Sequence, residues 1–148
     1  MLGLGFWFGV KDGDPRVIRL YEQHYSADPT VSTKARICHG VSGVGESMVL
    51  LTPTSDAAFI WVKNTIDRMD GQTGVQCSFF RNESPHRASA LIREARELAW
   101  SRWLERVWTY VNPAAVQSEV PGYSFRYDRW KSAGYSKKGL LILERRPH

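Results

Sequence analysis

The chain has 148 residues, 43% hydrophobic and 24% charged, which suits one globular domain over residues 1–148 with a core of its own. No apolar run approaches the ~20 residues of a membrane-spanning helix, and Cys38 and Cys77 stand too far apart for a CxxC pair, so a membrane span, a zinc ribbon and a disulfide framework are set aside and two reduced thiols in the cytoplasm are expected. The net charge of +5 lies entirely at one end: from Arg126 onward seven basic residues face two acidic ones, while the residues before it balance at thirteen each.

The first ten residues are apolar, with no basic segment before them, and read as a buried first strand, Leu2–Val10. Asp12-Gly13-Asp14-Pro15 is a turn. Asp14 as cap and Pro15 as first helical residue predict a helix running to about Tyr25. Residues 26–45 read as a long irregular link. Strands at Met48–Thr52 and Ala57–Lys63 are joined by the turn Pro53-Thr54-Ser55-Asp56. After a further turn over 67–74 come the strand Val75–Phe80 and an amphipathic helix, roughly Arg87–Trp103, with Leu91, Ile92, Ala95 and Leu98 along one side. A strand over Arg106–Val111 follows. Pro121-Gly122 then opens a short helix with Tyr123, Phe125, Trp130 and Ala133 as its apolar side, ended by Gly134, and Gly139–Glu144 is the last strand. The predicted order is β-α-β-β-β-α-β-α-β: an antiparallel meander, then a helical crossover to a parallel neighbour. The fold class is α+β, a mixed sheet flanked by helices.

The most informative stretch is Gly74–Trp100. Its strand ends in the polar run Arg81-Asn82-Glu83-Ser84-Pro85 and a helix starts at once. Free N–H groups and the helix dipole suit an anion there; an ordinary strand–helix junction with polar capping residues fits the same pattern.

This order, with a polar loop between the fourth strand and its helix, resembles the GNAT acyltransferase fold. In that family the equivalent loop binds the acetyl-CoA pyrophosphate through backbone amides, with the motif Arg/Gln-x-x-Gly-x-Gly/Ala. The segment from Arg81 to Ala88 keeps the leading Arg and the small Ser84, lacks the glycines, and loses an amide donor at Pro85. A narrower resemblance rests on FFRNES, ASALIREA, TYVNP, PGYSF and AGY before GLLILER, together with His24-Tyr25. These are similar to the Mom family of phage-borne, GNAT-related DNA modification proteins, over most of the chain and most strongly from Gly74 to Glu144.

That resemblance implies conversion of adenine N6 in double-stranded DNA to a carbamoylmethyl form, evasion of host restriction, and work in the host bacterial cytoplasm. It implies a donor, acetyl-CoA or another acyl or glycyl group, and an iron ion with His24 as the candidate ligand. The family's His-Tyr pair and later Tyr correspond to His24, Tyr25 and Tyr123. Asn112 stands where the family's acid is expected, and an amide binds metals weakly and takes no proton. Phe80, Arg81, Asn82, Ser84, Arg87, Ala88 and Ser89 are the donor-binding candidates.

Read from the residues, His24 has the side chain suited to a general base near neutrality, and Tyr25 and Tyr123 suit proton donation or orientation. Glu83 either accepts a proton from an attacking amine, caps the helix, or pairs with Arg87. Modifying adenine N6 in a duplex requires the base to leave the stack, and aromatic faces and cations would then hold it. Arg126, Arg129, Lys131, Lys137 and Lys138 are the nucleic-acid-binding candidates. Two alternatives share the fold: an acetyl-CoA-dependent N-acetyltransferase acting on a small-molecule or protein amine, and a non-catalytic phage DNA-binding protein.

Overall fold

The segment AAFIWVK is apolar at six successive positions, and a strand of that kind needs both of its faces covered. In the computed structural model, which describes residues 5–24, 27–65, 67–114 and 122–147, it is an inner strand of a mixed sheet with helices on both sides. The elements in chain order are β1 (Phe8–Val10), α1 (Pro15–Glu22), α2 (Thr33–His39), β2 (Glu46–Leu51), β3 (Ala57–Lys63) and β4 (Val75–Asn82). They continue as α3 (Ala88–Arg102), β5 (Val107–Val111), α4 (Tyr123–Tyr127), β6 (Lys131–Tyr135) and β7 (Leu141–Arg145). Among the described residues the strand order is β1-β2-β3-β4-β5-β7-β6, antiparallel throughout except for the β4–β5 pair.

Alternation along β3 divides the core. Ala57, Phe59 and Trp61 face α3, whereas Ala58, Ile60 and Val62 face α1. Indole N–H groups anchor α3 to the sheet: Trp7 Nε1 donates to Leu91 O at 2.8 Å and Trp61 Nε1 to Ala95 O at 2.8 Å. The aromatic bodies fill the core while their polar tips find acceptors. In the same cluster Trp61 stacks on Trp130 with centroids 6.2 Å apart, and Arg96 of α3 bonds Asp128, so the segment between α4 and β6 closes over the same helix.

The predicted meander and crossover are both present, and Asp14 caps α1 by accepting from the Arg16 N–H at 2.9 Å. Four expectations need correction. The first strand begins only at Phe8, with Gly5-Phe6 bent and residues 1–4 outside the described residues. The link over 26–45 contains α2, capped by Ser32 Oγ accepting from Ala35 N–H at 3.1 Å. It has no apolar stripe to betray it, because Arg36 instead folds over the Tyr21 ring and pairs with Glu22. The strand before the polar loop runs on to Asn82. Finally, the helix expected to reach Gly134 stops at Tyr127, and Lys131–Tyr135 is an edge strand. Arg129 takes a left-handed φ of 67° there, which ends the helix and sends Asp128 and Trp130 inward.

Gly74 sets where the parallel pair begins. Its φ is +95°, and a Cβ on it would lie 2.2 Å from the Arg106 carbonyl oxygen, the same oxygen that accepts from Val75 N–H. Gly74→Ala is therefore expected to lower unfolding free energy by about 2 kcal/mol or more, from the left-handed conformation and the backbone clash together. Chemical denaturation measures this; an unchanged midpoint would show that the β5 entry shifts at no cost.

Candidate functional site

The parallel pair β4–β5 is short. Val75, Gln76 and Cys77 pair with Val107, Trp108 and Thr109, and there the ladder ends. Thr109 Oγ1 donates to Cys77 O at 2.9 Å and closes the last carbonyl. Beyond that point β4 remains paired with β3, and β5 with β7, so the two strands diverge with their facing edges open. Ser78 has no partner on β3: Cys77 lies opposite Trp61 and Phe79 opposite Ile60. This bulge inverts the alternation, putting Cys77 on the α3 side and Phe79 on the α1 side.

A cavity of about 790 Å³ fills the divergence. From the sequence-derived set, His24, Phe80, Asn112 and Tyr123 line it. Gln76, Ser78, Thr109, Tyr110, Phe125 and Leu140 also line it and were missed. One signal was available for some of them: Phe79-Phe80 breaks the alternation of an otherwise half-buried strand, which is what a bulge does. For Tyr110 and Gln76 there was none, since both depend on Arg68 and Asp70 in the loop before β4. Tyr110 Oη donates to Asp70 at 2.8 Å, and Arg68 bonds both Asp70 and Gln76 Oε1.

His24 follows α1, and its ring meets Phe79 edge-on at 5.2 Å. Burial, and then the nearby Arg81 guanidinium, push its pKa below the ordinary imidazole value, so the ring is neutral at neutral pH. Arg81 itself donates to Gln23 O at 3.1 Å and pairs with Glu83 at 2.8 Å. Glu83 is not among the cavity's lining residues. It meets Arg81 and Arg19, and the hydrogen bond from Arg81 keeps it below the usual carboxylate range. Asn112 Oδ1 accepts from Ala114 N–H at 3.0 Å. Burial pushes the Cys77 thiol up to about 12, which makes it inert as a nucleophile. Tyr25 lies outside the described residues.

The loop between β4 and α3 is tied to itself and to the β2–β3 turn. Glu83 N–H donates to Asp56 O at 2.7 Å, Ser84 N–H to Asn82 Oδ1 at 2.9 Å, and His86 N–H to Ser84 Oγ at 3.2 Å. Pro85 has no N–H. Arg87 is the N-cap of α3 and offers no side-chain cap, so the first-turn amides at Ala88 and Ser89 have no side-chain partner from it.

A second cleft of about 650 Å³ lies against the outer side of α3, and Arg87, Ser89 and Arg129 line it. Arg126, Lys131, Lys137 and Lys138 are exposed on α4, on β6 and in the β6–β7 turn, apart from the main cavity. Among the described residues no three His, Cys, Asp or Glu side chains are placed so that they could hold a metal ion, so those residues do not assemble a ligand set for iron. No described helix is long and apolar enough to cross a membrane.

No family model matches the sequence, and no curated protein does. The fold does have solved counterparts. The GNAT domain of S. lividans PAT superposes with a TM-score of 0.66 at 17% identity, covering 94% of this chain and 88% of that one. Spermidine N-acetyltransferase from Vibrio cholerae, solved with CoA and spermine, superposes at 0.55 with 13% identity, covering 93% and 91%. The mixed sheet with flanking helices is thus the GNAT fold. At these identities the comparisons speak to fold alone, and neither bears on adenine modification.

Proposed function

We propose that this chain is an N-acyltransferase that moves an acyl group from a thioester to an amine within the β4–β5 divergence. One observation carries the reading: the strands part just beyond a side-chain-capped carbonyl, and His24, neutral and aromatic-packed, lines the space they leave. A thioester arm laid between the strands meets open backbone edges that a closed sheet would not offer. The first-turn amides of α3 suit the arm's phosphate. The V. cholerae enzyme of the same fold was solved with CoA, which supports a thioester donor.

The residues supply the remaining chemistry. The amine nitrogen attacks the thioester carbonyl while His24 accepts the amine proton. The C–S bond then breaks, and Tyr123, on the cavity wall, donates a proton to the departing thiolate. No metal step enters this scheme.

The test is equilibrium binding of acetyl-CoA and of S-acetyl-phosphopantetheine, followed by thiol release in the presence of a panel of amines that includes polyamines, arylamines and adenine nucleosides. Saturable binding with amine-dependent thiol release is expected. If no thioester binds, the reading fails.

A second reading keeps the transfer and places the amine on adenine N6 in duplex DNA. The exposed tyrosines Tyr123, Tyr127 and Tyr135 (57%, 56% and 67% exposed) favour it, beside Arg126, Lys131, Lys137 and Lys138 on the same C-terminal stretch. Nucleoside mass spectrometry of plasmid DNA from cells expressing the protein distinguishes the two, because only the second yields a heavier adenosine.

A further inference from the structure

A free acyl-CoA needs a cradle for its diphosphate, and in this chain the loop beside the arm is already satisfied. Between Asn82 and Arg87, three of the four loop residues spend their backbone N–H on Asp56, Asn82 or Ser84, and the fourth is Pro85. Asn82 also closes the loop from the other side, donating from Nδ2 to His86 O at 2.8 Å. Opening this loop to a diphosphate would break each of these bonds for each one gained.

What lies past the loop is a surface suited to carboxylates. The cleft against α3 is lined by five arginines and three acids. Two of those arginines are committed: Arg96 grips Asp128 through two bonds, and Arg145 also bonds it. Arg87, Arg93 and Arg129 are exposed along the cleft, and among the described residues Arg93's one ion pair is a long 3.9 Å approach to Glu97. Their guanidiniums match planar carboxylates well. The cleft and the β4–β5 cavity meet at α4. Tyr127 lines the cleft and holds the Arg87 guanidinium over its ring at 5.0 Å, and Tyr123, one turn earlier, lines the cavity. The two tyrosine rings are 6.2 Å apart.

We infer that the acyl donor is a thioester on the phosphopantetheine arm of an acidic carrier protein, docked on the Arg87–Arg93–Arg129 cleft with its arm passing α4 into the cavity. The inference rests on the N-acyltransferase reading and adds the partner. The carrier's carboxylates answer the exposed guanidiniums, and its arm brings one phosphate rather than a diphosphate and a nucleotide.

The experiment compares acetyl-CoA, S-acetyl-phosphopantetheine and an acetylated acidic acyl carrier protein as ligands of the full chain. Removing the nucleotide is expected to change affinity by no more than about threefold, because each charge-assisted bond in a real diphosphate cradle would add about tenfold. The carrier is expected to bind more tightly than either small thioester, with affinity falling as salt rises. Arg93→Glu should weaken the carrier about tenfold or more and leave S-acetyl-phosphopantetheine unchanged. Acetyl-CoA binding some thirtyfold or more tightly than S-acetyl-phosphopantetheine (a gap that several charged bonds would produce) would overturn the carrier and leave the acyltransferase standing. So would a carrier that fails to bind or is indifferent to Arg93→Glu, or a duplex oligonucleotide that occupies the cleft in its place. Failure of all three thioesters overturns both proposals together.

Discussion

Asp128→Ala is expected to destabilise the fold by about 3–5 kcal/mol, the usual cost of removing one partner from a buried ion pair. Asp128 and Arg96 are each 7% exposed. The carboxylate accepts from Arg96 Nε at 2.7 Å and Nη2 at 2.9 Å, from Trp130 Nε1 at 3.0 Å, and from Arg145 Nη1 at 3.4 Å. Removing it leaves the Arg96 guanidinium buried without its anion, next to Arg145, and leaves the Trp130 indole N–H unpaired. This cluster joins α3 to the turn between α4 and β6, so its loss loosens the wall shared by the cavity and the cleft. Urea denaturation should show a lower midpoint. Asp128→Asn, which retains an acceptor for Trp130, should lose less. An alanine variant within about 0.5 kcal/mol of the parent, the range of an ordinary surface change, would mean that the Trp61–Trp130 stack alone holds this segment.

The largest effect on activity is expected at His24. His24→Ala should lower kcat by about 10²- to 10⁴-fold, the usual contribution of a positioned general base, while the thioester's affinity changes little. The sign of the pH dependence follows from the lowered pKa. The imidazole is already neutral at neutral pH, so the rate should hold there and fall only when pH drops below the ordinary imidazole value of about 6.5. The variant should lose that acid limb as well as its rate. A parent profile that is flat through that range, or a variant that retains the limb, would assign the proton to another group. Measuring thiol release across pH with the best amine of the panel settles which.

The meander, the crossover and the amphipathic face of α3 could all be read from the chain, because each is written in local periodicity and turn residues. The Asp14 cap and Pro15 announced α1 for the same reason. β6 escaped notice because its signal is not local: Lys131–Tyr135 pairs only with the end of the chain, and helix-like spacing of Phe125, Trp130 and Ala133 masked the left-handed turn at Arg129. The site divides along the same line. His24, Phe80, Asn112 and Tyr123 were legible as chemical groups, and they do share a cavity. That Glu83 turns to two arginines instead, and that Tyr110 and Gln76 join the wall through Asp70 and Arg68, follows from loops packing against strands far away in sequence. By itself the sequence determined the meander, the crossover with α3, the start of α1, the basic end and the candidate groups, since these rest on residue type and spacing. Only the tertiary structure decided where β4 and β5 part, because that point depends on a bulge at Ser78, a hydroxyl from Thr109 and partners that hold each strand from its other side.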